Sequence, residues 1–300
     1  MGTSINWDRT TTTLHRFHRD LTGQDDNWPI PDITASPITD EQRRRARLTW
    51  SDRVRAAYVS ASLAADLSHR LIVLGAPVEL LSGTSYTAEE LLRQLNVAIH
   101  LLRPLNPDSP LVIPDRLLDT GPEPTSWETA LQKSVELFVF NLGLSQPIYE
   151  GIAAASSDPA MAELCFAVAN SLDEITTFGT AAIQWMGTEL PSRTTAPAQK
   201  KLPALLAAYE KLCEGSPEML DTMAGEEITV RTRPGNLGTL QPEHLAAIFY
   251  DTLNTAIFPC LDELGWQGLN AWQRHYRQNS HPDQPDAVIA AVGLYSSRPR

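Results

Sequence analysis

Cysteine is scarce in this chain, with three among 300 residues. Cys165, Cys213 and Cys260 are far apart and form no C-x-x-C, and their odd count argues against a disulfide scaffold. Cys165 and Cys260 have apolar neighbours in helical patterns and read as buried thiols. Long apolar runs are also missing. None reaches the ~20 residues that cross a bilayer, and the opening MGTSINWDRTTTT lacks the apolar core of a secretory signal. A cytoplasmic protein with no membrane partner is expected. Cationic charge is in deficit, 24 Lys and Arg against 36 Asp and Glu, for a net charge of -12. A negative field repels phosphate backbones and disfavours general nucleic-acid binding. The basic stretch Arg43, Arg44, Arg45 and Arg47, followed by Arg53 and Arg55, reads as the solvated side of a first helix. Nucleotide and hydrolase signatures are lacking too: there is no G-x-x-x-x-G-K-[ST], no G-x-G-x-x-G after a strand and no G-x-S-x-G elbow. Gly143-Leu144-Ser145-Gln146-Pro147 is near the last of these, but ends in proline inside a helical pattern.

What the sequence does contain is helical periodicity. Apolar residues make up 42% of the chain, the proportion of an ordinary globular protein. Residues 1–38 read as an irregular N-terminal arm, pinned to the body by Trp7 and Trp28. Thr39 is placed to cap a helix over about Asp40 to Val73. Its inner stripe is expected through Val54, Ala57, Tyr58, Ala61, Ala65, Ser68 and Ile72. Gly75-Ala76-Pro77 ends that helix. A second follows from Val78, in two pieces broken near Gly83, with Leu91, Leu95, Ala98 and Leu102 along one face. Prolines between Pro104 and Pro124 exclude a regular helix over most of the next connection, where Leu111-Val112-Ile113 form a short extended patch. Thr125 or Ser126 caps a third helix towards Ala154, which Pro147 should bend or interrupt. Ser157-Asp158-Pro159 opens a fourth, with Met161, Leu164, Cys165, Val168, Leu172, Ile175, Ala182 and Trp185 inward. Leu202 to Leu212 is helical with Pro203 in its first turn. Ile228 to Thr232 is a short strand or extended piece. A last strong helix, Pro242 to Leu264, is bent at Pro259, and an amphipathic run passes through Trp266, Leu269, Trp272 and Tyr276. The fold class is therefore all-α: a four-helix bundle with a long crossover and additional C-terminal helices. The helical domain spans residues 39–265, and residues 266–300 form an extension packed on the body.

A bundle that holds two metal ions needs inward carboxylates and Glu-x-x-His pairs. The stripe of the fourth helix carries no ionisable residue, and Glu89 and Glu90 precede Leu91 rather than joining its stripe. No metal and no cofactor is expected. Asp66 and His69 have ligand spacing, but without a matching second pair a hydrogen bond within the helix is the simpler reading. His100 and His244 read as structural or solvent-facing. Acid–base chemistry has Asp66, His69 and Tyr149 as its candidates. Tyr58, Gln94, Asn141, Gln146 and Thr176 are the polar residues for a pocket, and Gln94 and Asn141 are notable because each interrupts an apolar sequence. A buried amide needs a partner, and a ligand is one source of it.

Four places resemble the ferritin-like helical-bundle proteins of the myxobacterial type. They are Leu74-Gly75-Ala76-Pro77, Asp158-Pro159, Trp185, and the closing Gly238, Leu240, Ile257, Pro259 and Leu261. The likeness covers roughly residues 45–190 and 235–265. It implies a ferritin-like fold, and in the family a di-iron site. Counted from Pro77, the family's Glu-x-x-His of the second helix falls on Leu91 and Gln94. The pair of the fourth helix falls on Leu172 and Ile175, and the lone glutamates of the first and third fall near Ala57 and Leu142. In this register the ligands are lost.

Three functions follow as expectations. The first is a metal-free ferritin-like protein that binds a small organic molecule, with or without a non-redox cyclisation or isomerisation in specialised metabolism. The second is a structural or partner-binding homo-oligomer. The third is a divergent di-iron oxygenase or oxidase built on Asp66, His69, Glu90 and Glu136 or Glu150.

Overall fold

The computed structural model describes residues 2–5, 28, 30–33, 38–106, 111–114, 124–190, 192–213, 215–216 and 236–279. Trp7 and the Ile228–Thr232 segment lie outside the described residues. Among the described residues the chain is all-α apart from one two-stranded antiparallel ribbon. In it β1 (Gly2–Ile5), within the arm read as irregular, pairs with β2 (Leu111–Pro114) in the register Thr3 to Ile113. Leu111 and Ile113 are buried and Val112 is exposed, the period-2 alternation of a half-buried strand.

Helix α1 (Asp40–Val73) starts at Thr39 because that residue closes a reciprocal cap. Gln42 N donates to Thr39 Oγ1 at 3.2 Å, and Thr39 N donates to Gln42 Oε1 at 2.8 Å, which satisfies two of the donors a helix start leaves open. At the other end Gly75 takes φ 70°. Gly75 N then reaches Ile72 O at 3.1 Å and Ala76 N reaches Leu71 O at 3.0 Å, so the last carbonyls are capped by the turn itself. Pro77 leads into α2 (Val78–Leu102).

α2 is continuous, not broken at Gly83. A helical glycine costs only about 1 kcal/mol relative to alanine, and packing against α1 along its length offsets that. The inner stripe of α1 also differs from expectation in its C-terminal half. Ala64, Leu67 and Leu71 are buried, whereas Ala65 and Ile72 are exposed, Ile72 at 61%. The buried face runs through Ala46, Trp50, Val54, Ala61, Ala64, Leu67 and Leu71, because Leu67 and Leu71, each one position before the traced Ser68 and Ile72, turn inward together with Ala64. Arg43, Arg44, Arg45 and Arg47 are exposed, and Arg44 and Arg45 pair with Glu41. Arg53 and Arg55, expected on the same solvated side, are half-buried. Arg53 lies over the Trp50 ring, and Arg55 pairs with Asp52 and donates to Val112 O.

The third helical run starts at Ser126, whose hydroxyl accepts from Thr129 N at 3.2 Å. It comprises α3 (Trp127–Ser134), a π segment (Val135–Leu142) and α4 (Gly143–Ala155). Pro147 lies inside α4 and does not interrupt it. The ladder changes earlier, where Gly143 N bonds Phe138 O five residues back. Pro259 follows a similar change, the π segment Leu253–Ile257 between α7 (Pro242–Thr252) and α8 (Phe258–Glu263). Wider turns of this kind are where helices absorb a register mismatch. Asp158 Oδ1 accepts from Ala160 N at 3.0 Å to open α5 (Pro159–Glu189). α6 spans Ser192–Leu212, so Pro203 sits mid-helix rather than in a first turn. α9 (Gly268–Asn279) closes the described chain.

The chain forms two compact units. The first draws on residues Met1–Thr125, Ile152–Ser171 and Thr232–Thr239. Its core is the α1/α2 hairpin, and a turn locks onto it: Trp50 Nε1 donates to Leu237 O at 2.9 Å, and Asn236 Nδ2 donates to Ala155 O at 2.8 Å. The arm is held at Trp28, whose ring lies 4.3 Å from the Arg93 guanidinium, a cation–π contact. The second unit draws on residues Ser126–Gly151, Leu172–Arg231 and Leu240–Arg300. In it α6 packs on α3 and α9. Phe138 of the π segment occupies the space beside Gly179 of α5, where a Cβ would fall 2.2 Å from the Phe138 ring.

Two left-handed glycines separate backbone strain from packing. A Cβ at Gly75 (φ +70) meets nothing within 4 Å, whereas one at Gly238 (φ +77) falls 2.6 Å from Trp50 Cζ2. Gly75→Ala is expected to cost about 1–2 kcal/mol, the penalty of the left-handed region alone. Gly238→Ala should cost distinctly more, because the Trp50 indole must also move. Urea unfolding midpoints of the two variants check the order.

Candidate functional site

The sequence-predicted polar residues divide between the two units. In the first, Asp66 Oδ2 takes Arg70 Nε at 2.8 Å, and the buried Arg70 also donates to Pro124 O at 3.2 Å. The partner of Asp66 is thus four residues on rather than His69, which is exposed. Tyr58 is half-buried. Gln94 is 5% exposed, and its Nε2 has no hydrogen-bond partner. One turn before it, Glu90 is buried at 4% exposure rather than outside the stripe. It accepts from Ser171 Oγ and lies 3.5 Å from Arg93 NH1. The spacing of Thr87, Leu91 and Gln94 was the available signal that the face of α2 includes Glu90.

In the second unit Tyr149 is buried. Gln146 Nε2 donates to Asp173 Oδ1 at 3.2 Å and to Glu150 Oε1 at 3.4 Å, and its Oε1 accepts from Thr176 Oγ1 at 3.4 Å. Gln146 and Thr176 therefore do meet. Asn141 Oδ1 accepts from the hydroxyl of Tyr209, a residue not singled out from the sequence.

The same unit holds a cleft of about 300 Å3 lined by Gln132, Val135, Glu136, Lys201, Leu202, Ala204, Leu205, Ala208 and Trp266. Its residues come from three places. Gln132, Val135 and Glu136 share one face where α3 passes into the π segment. Leu202, Leu205 and Ala208 repeat at helical spacing on α6, with Lys201 and Ala204 beside them. Trp266 comes from the turn after α8. That turn repeats the device that ends α1: Gly265 (φ 72) lets Gly265 N reach Asp262 O at 2.9 Å and Trp266 N reach Leu261 O at 2.9 Å. Asp262 Oδ1 then accepts from Gly268 N at 3.0 Å, and Gln199 Nε2 of α6 donates to Trp266 O at 2.9 Å. The Trp266 backbone is held at both N and O, while its indole is 1% exposed and the indole Nε1 has no hydrogen-bond partner.

The cleft wall is almost wholly hydrocarbon and indole. It opens to solvent along Lys201, Ala204 and Ala208, which are exposed, while Leu202 is buried and Glu136 half-buried. Small side chains at Ala204 and Ala208 leave the volume unfilled. An apolar concavity with a few polar groups is the usual form of a small-molecule site, and this one is at the small end of the range of roughly 300–1,000 Å3. Sequence reasoning named Glu136 only for a metal reading and missed the remaining wall. The run Leu202 to Ala208 and the position of Trp266 after Gly265 were the signals.

Tyr209, next to Ala208, stacks on Phe140 with centroids 5.2 Å apart. Burial raises its phenol well above the usual tyrosine value of 10.0, and the charges of Glu136 and Cys213 raise it further. It stays a neutral donor to Asn141. Deeper in the unit Tyr250 donates to the buried Glu210 Oε1 at 2.8 Å.

The positions that the ferritin-like likeness assigns to ligands hold Ala57, Leu91, Gln94, Leu142, Leu172 and Ile175, and of these Leu91, Leu142, Leu172 and Ile175 are buried at 2% exposure or less. The five hydrocarbon side chains have no lone pair to offer and Gln94 is a single neutral amide, so these residues do not fit a di-iron centre. Among the described residues no three His, Cys, Asp or Glu side chains group as a metal site. No helix among them is long and apolar enough to cross a membrane. No protein-family model matches the chain, and no curated protein or solved structure does.

Tyr209 gives a pH prediction. The folded chain keeps a proton that the unfolded chain releases above about pH 10, so stability is full below that value and falls as pH rises through it. Tyr209→Phe should flatten this fall. In an absorbance titration it should also remove one late-ionising phenol from the 7 tyrosines of the chain.

Proposed function

We propose that this protein is a metal-free helical protein of ferritin-like ancestry that binds a small organic molecule in the cleft between the start of the π segment, α6 and Trp266, and that it works in the cytoplasm. The observation that carries the reading is the cleft itself: about 300 Å3, walled by apolar side chains, with Gln132, Glu136 and Lys201 as its polar residues. Apolar contact supplies affinity and a few polar groups fix orientation. The turn geometry supports a pre-formed site, since Trp266 is held through its own backbone at both N and O. A rigid wall reduces the ordering cost that binding would otherwise carry.

Ancestry enters through Leu74 to Pro77, Asp158-Pro159, Trp185 and the Gly238 to Leu261 pattern. The hydrocarbon at the expected ligand positions supports a function that does not use them. Binding without chemistry and a non-redox rearrangement in specialised metabolism share this site. For the second, Glu136 is the charged group at the cleft that is half-buried, and such a group is suited to move or hold a proton.

Titration of the protein with 2-naphthaleneethanol, followed by tryptophan fluorescence, tests the reading. Binding should saturate at one molecule per chain. Ala208→Phe, at an exposed helical position, should weaken it by about tenfold or more by filling the cleft, with the unfolding midpoint little changed. Unsaturable binding, or binding that ignores Ala208→Phe, would contradict it.

A further inference from the structure

The charges at the cleft are already engaged. Glu136 is half-buried on its wall, and Lys201 is exposed at its mouth. Lys133, one turn before Glu136, is 5% exposed. Each of these three residues interacts with another group of the chain. A charge carried in by a ligand would therefore give up water and meet no counter-charge that is not in use. Burial of a charge without a partner is strongly unfavourable. The rest of the wall offers little else to a charge. Val135, Leu202, Ala204, Leu205 and Ala208 have no polar side-chain atom, Gln132 is a neutral amide, and the indole N–H of Trp266 is buried. The net charge of -12 opposes anions further.

Size follows from the volume. A dry apolar cavity of about 150 Å3 takes one benzene. The cleft, at about 300 Å3, has room for a body of about two fused rings. We propose that the ligand of this cleft is an uncharged, hydrocarbon-rich molecule of that size, held by contact with Val135, Leu202, Leu205 and Trp266. The inference rests on the small-molecule reading and specifies its ligand class. Such a ligand gains the apolar contact of the wall and leaves the pairings of Lys133, Glu136 and Lys201 as they are. A cation is its strictest competitor, because the field of the chain draws cations near and an indole can attract one.

Probes of one shape that differ by one charge separate these cases in calorimetric titrations. 2-Methylnaphthalene and N-methylisoquinolinium form a neutral and cationic pair. 2-Acetonaphthone and 2-naphthoate form a neutral and anionic one. Binding in the cleft is the part that Ala208→Phe removes, with Ala204→Phe as the second block should circular dichroism show that the first variant does not fold. In each pair the neutral member is expected to bind about tenfold more tightly or better. Its affinity should not fall with added salt. Toluene, with one ring, should bind roughly tenfold more weakly than 2-methylnaphthalene. Binding of N-methylisoquinolinium or 2-naphthoate in the cleft as tightly as its neutral twin would overturn the proposal and leave the small-molecule reading standing. So would toluene that binds as tightly as 2-methylnaphthalene. Failure of every probe to bind would remove both.

Discussion

Burial of hydrocarbon along α5 is the constraint from which the rest follows. Met161, Leu164, Cys165, Val168, Leu172, Ile175, Ala182, Ile183 and Met186 are all at or below 4% exposure, and each large apolar side chain removed from water is worth about 1.5–3 kcal/mol. A carboxylate at any of these positions would need a partner to offset several kcal/mol of desolvation. The stripe leaves no room for one. That stripe is thus committed to packing; buried polar groups lie on other helices, at Arg70, Glu90, Gln94 and Glu210, and the cleft lies at places where the helices change geometry or end.

Those places share one device. α1 and α8 each finish on a left-handed glycine that folds the next backbone N–H groups onto the last carbonyls. After α1 the turn delivers Pro77 and the antiparallel return of α2. After α8 it delivers Trp266 to the wall of the cleft. The opposite wall begins where α3 gives way to the π segment, which brings Val135 and Glu136 to the same concavity. The cleft is therefore a product of two irregularities in the helical ladder, with two alanines of α6 leaving the space between them open.

Much of the fold was legible because helix boundaries are written in local chemistry. Thr39, Gly75, Ser126 and Asp158 act where their residue types predict. The apolar faces of α2 and α5 follow from simple periodicity. The misjudged features depend on longer-range packing. Gly83 was read as a break, but α1 supports the helix there. The half of α1 rich in alanine offered two nearly equivalent faces, and the positions of Leu67 and Leu71 decide between them. Pro147 is expected to bend or interrupt its helix, whereas α4 runs through it and the ladder adjusts one turn earlier, where Gly143 N reaches back to Phe138 O. The candidate site was less legible. Gln146 with Thr176, and Asn141, emerged as interrupted periodicity, but the cleft joins residues separated by more than sixty positions. Ala208 and Leu205 have no chemistry of their own to mark them, and only the fold makes them a wall.

The claim that a small organic molecule occupies the cleft at Trp266 can be examined one indole at a time. Protein labelled with 5-fluorotryptophan has 7 reporters, and a Trp266→Phe sample assigns the resonance at the cleft. On addition of 2-naphthaleneethanol, the account predicts a saturable shift of the Trp266 resonance while those of Trp28 and Trp50 stay in place. A shift confined to the tryptophans of the first unit, or none at any indole, would contradict it.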